Sequence, residues 1–240
     1  MTTLFTENFE TDLSQWKTRG TPTLQSAIVY SGAKALQCKP WDQVYKQFAP
    51  MNKIYVEAKL YYDLLPPPYV APNGAEVQLL HFQGAAFADI LMIYIYRDTA
   101  TGPTRVAVWS PFGNSQFLTV DVPPHGWVKV GLEYTANVNG GWRAFINDVE
   151  IVNVTGVDTS SKPVEYVFVG KANYVGVNTY TDDVLIADEA PLPQTFTLNY
   201  RSTPISVPLT YAGQQLASGQ SVEIPQGAQI TVSVPAEVTV

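Results

Sequence analysis

Apolar and polar residues alternate along much of the chain, which is the pattern of β-strands with one buried face. The alternation is clear in Ile54–Tyr61, Val128–Tyr134 and Trp142–Ile146, where every second residue is apolar and the period is two. No segment of ten or more residues shows a convincing helical period of 3.6 residues. The pattern therefore predicts an all-β protein.

Tight turns are indicated within residues 127–154. Asn147-Asp148 separates two alternating runs, and both residue types tolerate the positive φ angles of a two-residue hairpin turn. Asn139-Gly140-Gly141 forms a second turn signal shortly before it. We therefore expect a three-stranded antiparallel meander here. Pro66-Pro67-Pro68 and Pro123-Pro124 interrupt the pattern and are expected in loops or at strand edges.

The character of the sequence changes near Ala190-Pro191. Residues 194–240 carry only Arg201, Glu223 and Glu237 as charges and contain several short strand-like runs. The change predicts two domains, a large one over 1–190 and a small β-sandwich over 191–240. A sandwich this short is hard to stabilise alone, and the sequence stops directly after a strand-like run. We expect that it is either incomplete or completed by a strand from a partner, through self-association or another protein.

Composition excludes several classes of protein. The chain has 240 residues, of which 46% are hydrophobic and 15% charged, so it can form a core and is not disordered as a whole. Its net charge of −7 and the lack of a basic stripe argue against nucleic acid binding. The longest apolar run, Ile90–Tyr96, is far shorter than a membrane span of about 20 residues. The single cysteine, Cys38, excludes a disulfide framework and is expected to be buried in a strand.

Segments spread over residues 4–188 resemble, in family order, concanavalin A-like jelly rolls of the LamG and carbohydrate-binding-module type. The matching segments are Phe5–Glu10 with Leu13 and Trp16, Tyr30–Leu36, Gly126–Val130, Arg143–Asp148 and Tyr180–Ile186. The resemblance implies an antiparallel jelly-roll β-sandwich whose first and last strands are neighbours in one sheet. The tail resembles small PEGA-like or immunoglobulin-like β domains.

The same resemblance implies a structural calcium ion where the first and last strands meet. It points to Glu10 and Asp183 as ligands, with Glu7 as a further candidate, because calcium takes carboxylate and carbonyl oxygens. The alternative is that these acids are solvated surface groups.

Catalytic patterns are weak. Jelly-roll glucanases carry Glu-x-Asp-x-x-Glu on one strand, and no such spacing occurs here. Jelly-roll polysaccharide lyases carry Gln-x-His, whereas Gln78 and His81 are three positions apart. His81 and His125 are each interpreted as structural, and we expect no enzymatic activity.

Aromatic residues suggest a binding surface instead. Ile90, Met92, Tyr94 and Tyr96 fall on one face of a predicted strand, and Arg105 and Trp109 on one face of the next. Tyr94, Tyr96, Arg105 and Trp109 are therefore the candidate glycan-binding residues, since sugar rings stack on aromatic rings and their hydroxyls form hydrogen bonds. The alternative is that this face is covered by the 63–75 loop, by the second domain or by a subunit.

Taken together, these features predict a non-catalytic attachment or surface protein that faces the extracellular space and contacts a glycan or cell-surface polysaccharide. A structural or decoration subunit of a virion or surface filament, assembled through the C-terminal domain, is the first alternative. A glycan-active enzyme without a recognised motif is the second. We expect an extracellular or virion-surface location. The N-terminal residues lack the pattern of a signal peptide, so we expect either that a leader has been removed or that the protein leaves the cell by assembly or lysis.

Overall fold

The computed structural model describes residues 1–64, 66, 76–99, 101–118, 120, 122–172, 176–190, 195–199, 209–211, 214–218 and 220–225. Within them the chain is built from β-strands and one short 3-10 turn, Ala85–Phe87. The strands are β1 Thr3–Glu7, β2 Lys17–Arg19, β3 Thr23–Gln25, β4 Ala35–Cys38, β5 Gln43–Met51, β6 Lys53–Tyr62, β7 Val77–Gln83, β8 Asp89–Tyr96, β9 Arg105–Trp109, β10 Gln116–Leu118, β11 Val128–Thr135, β12 Gly140–Ile146, β13 Val149–Val157, β14 Val164–Ala172, β15 Thr179–Ala187, β16 Thr195–Asn199, β17 Leu209–Tyr211, β18 Gln214–Leu216 and β19 Ser221–Pro225. The all-β prediction is confirmed.

Two antiparallel sheets form a sandwich. The eight-stranded sheet has the order β13-β12-β11-β6-β15-β4-β3, with β1 also paired to β15. The seven-stranded sheet has the order β10-β9-β8-β7-β14-β5-β2. Alternate residues of both sheets point inward and are buried between them, as the period of two predicts. The first and last strands of the sandwich are neighbours, as expected from the sequence.

The predicted meander is also confirmed. β11 pairs with β12 and β12 with β13, and the turn residues Asn147 and Asp148 have φ angles of 50° and 68°. These positive angles match the right-handed twist of the two flanking strands. Cys38 is fully buried at the end of β4, and burial raises the pKa of its thiol far above the ordinary value.

A β-bulge in β15 determines how the N-terminal segment joins the sheet. The first half of β15 pairs with β4 and the second half with β1, and the register against β6 shifts between Asp182 and Leu185. Asp183 sits in this bulge with a φ angle of 46°. The buried carboxylate of Asp182 accepts hydrogen bonds from the backbone N–H groups of Tyr30, Ser31 and Asp183 at 3.2, 3.1 and 2.9 Å. It therefore fastens the loop before β4 to the closing strand.

The chain divides into two compact units, Met1–Ala190 and Pro191–Val240. In the second unit, β16 pairs with β19 and β17 with β18. The predicted PEGA-like or immunoglobulin-like sandwich and its completion by a partner strand concern mainly residues outside the described ranges, so both stay predictions. No helix in the described part of the chain is long and apolar enough to cross a membrane.

Candidate functional site

A second β-bulge places chemically active side chains on the outer face of the seven-stranded sheet. The register of β7 against β8 shifts between Gln78 and Leu80. Leu79 and Leu80 therefore both point into the core, while Gln78 and His81 both line a shallow depression on the outer face. Their spacing still differs from the Gln-x-His of the polysaccharide lyases, but the bulge compensates for the extra residue and brings both side chains together. The expectation of no enzymatic activity stays a prediction. Two adjacent leucines inside a strand are the signal that could have revealed the bulge.

Gln78, His81 and Gln83 form what we call the polar row along β7, and each is less than 10% exposed. His81 Nε2 lies 3.0 Å from Asp89 Oδ1, which also accepts a 2.7 Å hydrogen bond from Gln83 Nε2. Gln78 Nε2 donates to Glu76 Oε1 at 2.8 Å. The adjacent His81 side chain, opposed by burial and helped by Gln83, keeps the pKa of Asp89 below its ordinary value.

The two glutamine carbonyls of the polar row are unusual because they are buried without a hydrogen-bond partner in the described structure. They are Gln78 Oε1 and Gln83 Oε1. A buried acceptor that lacks a donor costs about 1–3 kcal/mol. Such atoms are often explained by a water or a ligand that supplies the missing donor.

An aromatic cluster adjoins the polar row on the same face. Tyr45 stacks on Phe168 and Phe87 on Tyr166, with ring centroids 4.9 and 4.3 Å apart. The guanidinium of Arg19 lies 4.4 Å from the centroid of the Phe87 ring. Phe87 is 38% exposed. This cluster could not be predicted from the sequence, since its members come from β2, β5, the 3-10 turn and β14, which only the sheet order brings together.

The candidates Tyr94, Tyr96, Arg105 and Trp109 lie on the same outer face, nearer β10. Tyr94, Tyr96 and Ala107 form a small cluster against which Trp109 packs. Both tyrosines are only 5% exposed, and burial raises the pKa of Tyr96. Arg105 Nε lies 3.0 Å from Asp98 Oδ2. Trp109 and Arg105 are thus the more accessible pair, and glycan contact by the four residues stays a prediction. From the sequence, the 63–75 loop is an alternative that covers this face, and most of that loop lies outside the described residues.

Ile90 does not lie on the same face as Tyr94 and Tyr96, although strict alternation predicted that it would. Both Ile90 and Leu91 are fully buried in the core. The register between β7 and β8 shifts again between Phe82 and Gln83, opposite Leu91 and Asp89. The irregularity turns Ile90 inward and leaves Asp89 exposed beside the polar row.

The predicted calcium ligands are engaged in hydrogen bonds within the chain. Glu10 Oε1 accepts hydrogen bonds from the N–H groups of Ala33 and Lys34 at 2.8 and 3.1 Å. Glu7 Oε1 accepts from Phe9 at 2.8 Å, and Asp183 Oδ1 accepts from the Ser31 hydroxyl. Among the described residues, no group of three or more His, Cys, Asp or Glu side chains is arranged to hold a metal ion. These side chains alone do not fit a calcium cage, and calcium binding stays a prediction.

Comparison with solved structures identifies the fold of the sandwich. The cellulose-induced protein Cip1 has a TM-score of 0.53 and 16% identity, covering 77% of this chain and 97% of its own. The endo-β-1,4-glucuronan lyase of the fungus Trichoderma reesei has a TM-score of 0.52 and 13% identity, covering 77% and 95%. The globular domain of T. cruzi calreticulin has a TM-score of 0.52 and 13% identity, covering 79% and 89%. No protein-family model and no curated protein matches the sequence. The fold is that of the concanavalin A-like lectin/glucanase jelly rolls.

Proposed function

We propose that the outer face of the seven-stranded sheet binds a glycan without chemically altering it. The observation that carries this proposal is the polar row, in which Gln78 Oε1 and Gln83 Oε1 are buried acceptors without donors. Sugar hydroxyls are donors of suitable size, so a bound glycan chain supplies what these atoms lack.

The neighbouring rings supply the apolar part of such a site. The C–H face of a sugar stacks on exposed aromatic carbon, and Phe87 presents such a surface beside Arg19. Trp109 and Arg105 offer a second contact along the same face, as the sequence analysis proposes. Solved relatives in fold that include a glucuronan lyase support a carbohydrate ligand. The extracellular or virion-surface setting expected from the sequence stays a separate prediction.

A glycan-active enzyme is the second candidate, because one specific observation favours it. The β7 bulge brings Gln78 and His81 into one depression, where His81 also meets Asp89. A histidine paired to a carboxylate can move a proton during bond cleavage. Turnover of any bound polysaccharide, abolished by His81→Ala with binding retained, would support this candidate over simple binding.

Assembly through residues 194–240, as a virion or filament subunit, is a separate proposal. It rests on the sequence of the tail, most of which lies outside the described residues. A native mass measurement of the full chain distinguishes an oligomer from a monomer and leaves the glycan proposal untouched.

The glycan proposal is tested by titrating the full chain with a panel of soluble neutral and acidic polysaccharides. We expect saturable binding to at least one of them, with no change in its chain length after prolonged incubation. Shortening of the polysaccharide would contradict simple binding and support the enzymatic candidate. Absence of binding across the panel would contradict the proposal.

A further inference from the structure

We propose that Trp41 and Lys171 form an end subsite of this surface that selects sugars carrying an anionic group. The inference rests on the proposed glycan-binding function and names the ligand class. Trp41 precedes β5 and Lys171 lies in β14, and Lys171 Nζ is 6.0 Å from the centroid of the Trp41 ring.

Trp41 is presented to solvent by a strained but well-anchored turn. Residues 39–42 form a turn closed by a 2.9 Å hydrogen bond from Asp42 N–H to the Lys39 carbonyl. Trp41 occupies the third position with a φ angle of 71°, where a type II turn normally has glycine. The buried Asp42 carboxylate holds the turn in place by accepting from Thr21 N–H at 2.8 Å. A large ring that is 59% exposed on such a backbone is difficult to explain by stability.

Lys171 carries a charge that no carboxylate contacts directly among the described residues. It is partly buried, and among the described residues its ammonium makes no hydrogen bond and no ion pair. Burial lowers the pKa of Lys171, helped by the charge of Arg19 and opposed by the charges of Glu76 and Asp89. Glu76 is itself occupied by Gln78 Nε2. Burial removes part of the water around the Lys171 ammonium. An anionic ligand group would compensate by forming an ion pair with it.

The polar row connects this subsite to the rest of the surface. Lys171 pairs with Gln78 in the sheet register, and both line the same depression with Gln43 and His81. Gln78 is 8% exposed, and its Oε1 is buried without a hydrogen-bond partner in the described structure. Lys171 thus adjoins the Trp41 ring on one side and Gln78 on the other, so a sugar stacked on Trp41 would have its substituents directed toward the Lys171 ammonium. Carboxylate and sulfate substituents are both negatively charged, so either could pair with the Lys171 ammonium.

The experiment compares a polyuronide with the same polymer after its carboxyl groups are reduced to alcohols, and adds a sulfated galactan as a third probe. We expect the full chain to bind at least one anionic polymer about tenfold more tightly than the reduced polymer. The preference should weaken as salt is raised, because a partly exposed ion pair is screened. Preference for the sulfated galactan over the polyuronide would identify sulfate as the group.

Two variants assign the effect to these residues. Lys171→Gln should remove the preference for the anionic polymer while leaving affinity for the reduced polymer unchanged. Trp41→Gly should weaken binding of both polymers by about tenfold without lowering the melting temperature, because glycine is the residue that this turn prefers. Tyr30→Ala, an exposed aromatic outside this face, is the control and should bind as the parent does.

The outcomes separate the two proposals. Equal binding of anionic and reduced polymers by the parent chain would overturn the subsite and leave the glycan-binding function standing. Unchanged binding by both variants would likewise overturn the subsite. Absence of binding to every polymer would overturn both.

Discussion

Replacing Asp182 by alanine is expected to lower the free energy of unfolding of the sandwich by about 3 kcal/mol or more. Its fully buried carboxylate accepts three backbone N–H groups, two of them from the loop before β4. Alanine leaves these donors without an acceptor in a site closed to water, at about 1–3 kcal/mol for each donor that stays unpaired. For a domain of this size the melting temperature should fall by about 6–12 °C, as measured by calorimetry.

The adjacent residue provides the control. Asp183 is partly exposed and accepts only from the Ser31 hydroxyl, so Asp183→Ala should cost about 1 kcal/mol, including the strain of alanine at a φ angle of 46°. Similar losses in both variants would show that Asp182 does not fasten the loop.

The Asp182 effect also has a pH dependence. Burial raises the pKa of Asp182 above its ordinary value of 3.8. The folded state therefore holds this proton more tightly than the unfolded state does. The stabilising contribution of the carboxyl group is fully present below pH 3.8 and decreases as the pH rises through the folded-state pKa. The stability difference between the parent and Asp182→Ala should accordingly shrink over that range.

Converting both glutamines of the polar row to leucine is expected to weaken glycan binding by between about tenfold and hundredfold. Gln78 Oε1 and Gln83 Oε1 are the acceptors to which sugar hydroxyls would donate, and each neutral hydrogen bond contributes about 0.5–1.5 kcal/mol. The fold should tolerate the change, because the loss of two buried acceptors that have no donor offsets the loss of the hydrogen bonds from the amide nitrogens to Glu76 and Asp89. Isothermal titration with the best polysaccharide of the panel measures the first effect, and thermal melting measures the second.

A glutamine on the other sheet is the matched control. Gln37 lies in β4 and donates to the Tyr180 hydroxyl at 3.2 Å, so Gln37→Leu should leave the affinity unchanged. If the double variant binds as tightly as the parent, the polar row does not contact the ligand. If it melts well below the parent, the row has a structural role.

Regular alternation made most of the fold predictable from the sequence. In strands such as β6 and β11 the residues predicted to face the core are indeed buried. Tyr55 and Glu133 on the opposite face are buried as well, through packing that alternation does not reveal. The hairpin at Asn147-Asp148 was predictable because few residue pairs accept two positive φ angles.

The site was less predictable because bulges and sheet order create it. The extra residue in β7 reverses which side chains face outward, and alternation cannot anticipate where such a residue is inserted. Lys171 meets Trp41 only because β14 lies next to β5 in the sheet, far apart in sequence. Tyr94, Tyr96 and Trp109 lie together on one face, and Arg105 is paired with Tyr96 in the register of β8 and β9, as alternation indicates. The burial of Tyr94 and Tyr96 depends on tertiary packing that a strand pattern does not contain.

The central claim is that a glycan binds the outer face of the seven-stranded sheet, and mapping amide chemical-shift changes during a titration tests it most directly. We predict that the changes concentrate in Gln43–Met51, Val77–Gln83 and Val164–Ala172, which are β5, β7 and β14. The amides of β11, β12 and β13 in the opposite sheet should be unaffected. Changes confined to the eight-stranded sheet, or no change with any glycan of the panel, would contradict the claim.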